Sequence, residues 1–141
     1  MNVFVVIDTN VVLSTMLTKN ATSATVRVMR AMMNNIITPL YNKEILEEYY
    51  DVLHRSKFKL QEEDVERMIS NIVMRGYEAE RVHSLEEIKD PKDVVFYEVA
   101  LSKEGAYVVT GNIKDFPSTP IVVTPAEMVK ILEDANLIER L

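Results

Sequence analysis

The chain has 141 residues, 48% hydrophobic and 27% charged, with a net charge of −6 and no cysteine. That length suits one domain, residues 1–141, with room for a proper core. The composition excludes a disulfide framework and a thiolate metal site, and it argues against a broad phosphate-binding surface of Lys and Arg.

The N-terminus, MNVFVV, has no basic leader and enters a strand at once, so a cytoplasmic location is the expectation. No apolar run approaches the roughly 20 residues of a membrane span. Val3–Ile7 is an unbroken apolar run, typical of a strand covered on both faces. Asp8 follows it, and the chain is apolar again at Val11–Leu13. A carboxylate set between two apolar runs is costly unless something compensates it. Thr22 or Ser23 caps a helix to about Asn34, with Val26, Met29 and Met33 on one face. Residues 35–39, NIITP, make a short strand. Asn42 caps a helix to about Arg55, with Ile45, Tyr49 and Val52 spaced for one buried face. Gln61–Met74 is a further amphipathic helix, ended by Gly76. Glu80–Val82 is a weak strand, and Asp90 opens a helix to about Lys103. Tyr107–Thr110 and Ile121–Val123 are strands, and Pro125–Asp134 is the last helix. Repeated strand–helix alternation predicts an α/β fold: a three-layer α/β/α sandwich around a mainly parallel sheet.

Ligands of such sheets bind outside the carboxyl ends of the strands. The residues placed there are Asp8, Thr9 and Asn10 after the first strand, and Thr110, Gly111, Asn112 and then Asp115 after the fourth. Asp90 and Asp93 at one helix start, and Glu44, Glu47 and Glu48 on another helix, add more oxygen donors. No His or Cys is among them. Hard oxygen donors suit Mg2+ or Mn2+ better than Zn2+, and such an ion would compensate Asp8. Each residue also has a plainer reading. Asp8 and Asn10 both fit helix caps, and Asp90-Pro91-Lys92-Asp93 makes a good helix start unaided. Glu48 lies nearer the apolar edge of its helix than Glu47. Glu98 falls among apolar neighbours, either buried and hydrogen-bonded in support of the site or turned out at an edge. HRSKFK, residues 54–59, is the densest basic cluster, and Arg55, Lys57 and Lys59 could hold an RNA backbone, with Phe58 available for stacking. A solvated loop is the plainer reading there, and core or a dimer face the plainer one for Met29, Met32 and Met33.

These stretches resemble, in order, the motifs of the PIN-domain family of metal-dependent ribonucleases, closest to its bacterial toxin-like branch. VIDTNVVLS is similar to the first motif, with Asp8 as the acidic ligand, and NKEILEEYYDVLHRSKF to the second, with Glu48 at the acidic position. DPKDVVFYEVAL resembles the third and places Asp93 there, while AYVVTGNIKDFP and IVVTPAEMV resemble the closing strands and helix. Asn112 stands where many PIN domains carry Asp, so whether Asp115 substitutes is left open. The resemblance implies hydrolysis of RNA phosphodiesters with Mg2+ or Mn2+ held by Asp8, Glu48, Asp93 and Asp115, and with Thr9, Asn10, Thr110, Asn112 and Glu98 around them. It also implies a toxin role beside a cognate antitoxin, and a homodimer. Two other readings stand beside it. One is a haloacid-dehalogenase-like phosphatase, whose second Asp is Asn10 here. The other is a non-catalytic PIN-like binding module.

Overall fold

The computed structural model describes residues 2–140. Five parallel strands form its sheet: β1 (Val3–Ile7), β2 (Ile37–Tyr41), β3 (Tyr77–Glu78), β4 (Tyr107–Val109) and β5 (Val122–Val123), in the order β3-β2-β1-β4-β5. Six α-helices surround it: α1 (Thr9–Leu17), α2 (Ala24–Met33), α3 (Lys43–Leu53), α4 (Glu62–Arg75), α5 (Pro91–Leu101) and α6 (Pro125–Asp134). Parallel strands need crossovers, and these are almost always right-handed. The order therefore places the helices of the first two crossovers on one face and α5 on the other. Packing agrees: α2 and α4 lie on β2, α1 and α6 on α2, and α5 on β1, β2 and β4. Covered on both faces, Val5, Val6 and Ile7 are completely buried.

The chain winds outward from β1 through β2 to β3, then returns to β4 on the other side of β1. The switch point lies between β1 and β4, and at the carboxyl ends of the strands it is where such a sheet takes its ligand. Helix α3 borders this edge. It touches α1 and α4 in one layer and α5 in the other, and its Tyr49 hydroxyl donates to the Ile7 carbonyl at the end of β1.

Local chemistry sets the helix starts. Ser23, Asn42 and Asp90 accept from the Val26, Ile45 and Lys92 amides, and Thr124 with Glu127 forms a reciprocal capping box at α6. Four elements differ from the sequence reading, the first being β2, expected at residues 35–39 and formed at Ile37–Tyr41. Helix α1 was not expected: TNVVLSTML is rich in β-branched residues, which are weak helix formers. It forms because Asp8 caps it and because Val11 and Val12 are buried. The expected strand at Glu80–Val82 is not one. The strand comes earlier, at Tyr77–Glu78, and the Val82 amide is taken by the Glu98 carbonyl at 3.0 Å. On α2 the buried stripe is Val28, Met29, Ala31 and Met32, while Met33 is exposed, because α1, α4 and α6 cover a wide arc of that helix.

Gly76 joins α4 to β3 where a side chain has no room: a Cβ there would lie 2.2 Å from the Pro39 carbonyl oxygen. Gly76→Ala should therefore cost about 1–3 kcal/mol of stability, read as a lower urea midpoint with an unchanged slope.

Candidate active site

Asp8 sits at the switch point and is 8% exposed. One carboxylate oxygen accepts the Thr9 amide at 2.8 Å and caps α1, while the other accepts the Thr110 hydroxyl at 2.7 Å. Its own amide donates to the Val109 carbonyl at 2.9 Å, so β4 fixes both backbone and side chain. Burial pushes its carboxyl above the ordinary value; the hydrogen bonds from Thr110 and Thr9 oppose this, and the charges of Asp115 and Glu48 add to it. The Tyr49 phenol beneath it is pushed up too, by burial and then by the Asp8 charge.

Asp93, on the first turn of α5, is half-buried beside it. Its carboxyl is pushed up to about 7, first by burial and then by the charges of Asp8, Asp90, Asp115 and Glu48. That dependence places these carboxylates in one electrostatic cluster. Glu48 looks across a groove of about 300 Å3 between α3 and α5, also lined by Glu44, Glu47, Asp51 and Lys92. The Lys92 ammonium stands 3.7 Å from the Glu48 carboxylate. Asp90 caps α5 through the Lys92 amide at 2.9 Å. Asp115 is exposed, in a 3-10 turn at Ile113–Asp115.

The loop after β4 is bound to the same centre. The Thr110 hydroxyl that donates to Asp8 also accepts the Asn112 amide at 3.0 Å, and the Asn10 side chain accepts the Gly111 amide at 3.4 Å. Thr9 is buried with its hydroxyl unpartnered. Glu98 faces elsewhere: its carboxylate takes the Arg81 guanidinium and the Ser84 amide, anchoring the loop that precedes α5. Arg55, Lys57 and Lys59 lie beyond the end of α3, in and around a short 3-10 turn at Ser56–Phe58. The sequence reading missed Arg81, which lay in the presumed weak strand with no motif to mark it, and the Tyr49 hydrogen bond, since Tyr49 reads as an apolar core position.

A parallel sheet with carboxylates gathered at its switch point is the frame of an α/β protein that takes its ligand at the carboxyl edge of the sheet. The model of the PIN domain family matches residues 4–114, and the chain belongs to that family, whose members are generally nucleases that use divalent metal ions. No curated protein and no solved structure matches it significantly. Among the described residues, no three His, Asp or Glu side chains are drawn in tightly enough to form a ready-made ion cage. The donor set fits a divalent ion by its chemistry. The candidate ligands are all oxygen donors, and burial, with mutual repulsion added, raises Asp8 and Asp93. Like charges that repel take other partners, as Glu48 takes Lys92.

Proposed function

We propose that this PIN-family protein is a Mg2+- or Mn2+-dependent endoribonuclease of the cytoplasm, the toxin of a toxin–antitoxin pair and a homodimer. The observation that carries the nuclease reading is the acid gathered at the carboxyl edge of a PIN-family sheet: Asp8 buried at the switch point, Asp93 on the first turn of α5, Glu48 on α3 and Asp115 after β4. A phosphodiester approaching these four carboxylates is repelled unless a cation intervenes. The toxin role rests on the likeness of the motifs to the toxin-like branch, and the dimer on the same likeness.

Asp8, Glu48 and Asp93 would hold the ion, with Asp115 at its open side. When bound, the ion lowers the pKa of water for attack on phosphorus and neutralises charge on the departing oxygen. Thr110 keeps the Asp8 carboxylate aimed, by the 2.7 Å hydrogen bond. Asn10 and Thr110 hold the 111–112 loop in place by accepting the Gly111 and Asn112 amides. Arg55, Lys57 and Lys59 offer phosphate contacts beyond the end of α3.

Millimolar Mg2+ or Mn2+ should raise the melting temperature, as binding to the native state alone does, by about 2.7 kcal/mol of stability at a hundred times the dissociation constant. With either ion, a generic single-stranded RNA should yield fragments, and small phosphomonoesters should not be hydrolysed. No thermal shift and no calorimetric heat with Mn2+ would overturn the metal site. A shift without cleavage would make the protein a metal-binding module that does not cut.

A further inference from the structure

The loop from Ala79 to Lys89 carries an ion-pair arrangement that belongs to neither the core nor the carboxylate cluster. Glu98 lies on α5 among apolar neighbours, its side chain 7% exposed. One of its oxygens takes the Arg81 Nε at 2.9 Å and Nη2 at 2.8 Å; the other takes the Ser84 amide at 2.7 Å. The Ser84 amide, and further the Arg81 guanidinium, hold the Glu98 carboxyl below its ordinary value against the burial that pushes it up. His83 stands 3.8 Å away, on the solvent side. The remaining arm of Arg81 reaches α3, where Nη1 meets both oxygens of Glu44, at 3.1 and 3.0 Å.

One guanidinium thus joins two helices. Glu44 is one turn before Glu48 on α3, and Glu98 is five residues after Asp93 on α5. The planar fork of Arg is suited to such a link, because its donors are fixed relative to one another. As a contribution to stability the Glu44 arm is worth little, since that carboxylate is half exposed. Its geometric effect is larger: α3 and α5 face each other across one groove, Glu48 lines it from α3, and Asp93 lies on the first turn of α5, next to Lys92 on its far wall.

We propose that Arg81 is a positioning residue, a strut between Glu44 and Glu98 that sets the spacing of Glu48 and Asp93 for a divalent cation. This rests on the metal-dependent reading above. The sign of the expected effect separates geometry from charge. Removing a nearby cation would, by Coulomb's law alone, tighten the binding of a divalent cation. Loss of a strut weakens it instead, and loss of a residue supporting metal ligands typically costs about 10–100-fold in affinity.

The test is Mn2+ binding by calorimetry to the full chain and to Arg81→Met, with Arg81→Lys as the variant that keeps the charge and lacks the fork. The chain has no native cysteine, so spin labels at Asp51→Cys and Leu101→Cys would report the α3–α5 distance directly. The expected result is roughly tenfold weaker Mn2+ binding in Arg81→Met, partial recovery in Arg81→Lys, and a broadened distance distribution. Melting curves identify any variant that fails to fold; Glu44→Gln, which cuts only the exposed arm, then serves in its place and is read by the α3–α5 distance alone, because losing an acid beside the groove weakens cation binding by charge. Unchanged or tighter Mn2+ binding in a folded variant, or an unchanged distance distribution, overturns the strut while leaving the metal reading intact. A wild-type chain that takes up no Mn2+ overturns the metal reading first, and this assignment with it.

Discussion

Asp8→Asn should abolish metal-dependent RNA cleavage and leave the fold intact. The isosteric amide keeps most of the local bonding. Its oxygen still accepts the Thr9 amide that caps α1, and its NH2 group can donate to the Thr110 hydroxyl, which has rotated from donor to acceptor. What is lost is the charge. Burial already holds the Asp8 carboxyl above its ordinary value, so folding works against its ionised form. Melting without metal should therefore be unchanged or raised near neutral pH, where the wild-type charge is least favourable. Activity should fall by at least about a hundredfold, since even residues that merely support a metal ligand cost 10–100-fold when removed. Circular dichroism melts without metal and cleavage rates with Mn2+ check both halves. Full activity in the variant would remove Asp8 from the proposed site.

The reading of the sequence succeeded where one local rule was enough. Helix α6 begins and ends where its Pro and its apolar spacing place it, and the caps at Ser23, Asn42 and Asp90 are formed by side chains suited to that task. It failed where tertiary packing overrides propensity. Thr9–Leu17 is a poor helix by composition, and its Asp8 cap together with its docking against α2 and α3 makes it one. The strand placed at Glu80–Val82 fell instead at Tyr77–Glu78, because β2 ends where Tyr41 pairs with Glu78 and leaves no partner farther on. At the cleft, position near the carboxyl edge put Asp8, Glu44, Glu47, Glu48, Asp90, Asp93 and Asp115 in one set, and the resemblance to the PIN motifs chose Asp8, Glu48, Asp93 and Asp115 from it as the proposed ligands. Glu98 could not be placed: its neighbours in sequence are apolar, and its partners, Arg81 and Ser84, are 17 and 14 residues away. Motif order brings out residues on the regular elements, and it is silent about the loop that ties those elements together.

The two aspartates of DPKD should part company on mutation. Asp90 caps α5 through the Lys92 amide, and Asp90→Ala should cost about 0.5–2 kcal/mol of folding free energy. It should leave the folded fraction active, because the backbone of α5 still begins at Pro91. Asp93→Asn should do the reverse, abolishing Mg2+-dependent cleavage while sparing the fold. The third helical position favours a negative charge by about 0.3–1 kcal/mol, a modest loss for the amide. Against it stands the Asp93 carboxyl itself, pushed up to about 7 from an ordinary value near 3.8. Folding thus favours its protonated form, so the wild-type chain loses stability as pH rises from about 4 through 7. The amide cannot ionise and is spared that loss. Without metal, the melting temperature of Asp93→Asn relative to wild type should rise across this window and level off above it. Melting curves at pH 5 and pH 8, with cleavage rates for both variants, decide the assignment. If Asp90→Ala is stable and inactive while Asp93→Asn still cleaves, the acidic position belongs to Asp90, and the first turn of α5 meets the substrate one residue set earlier than proposed.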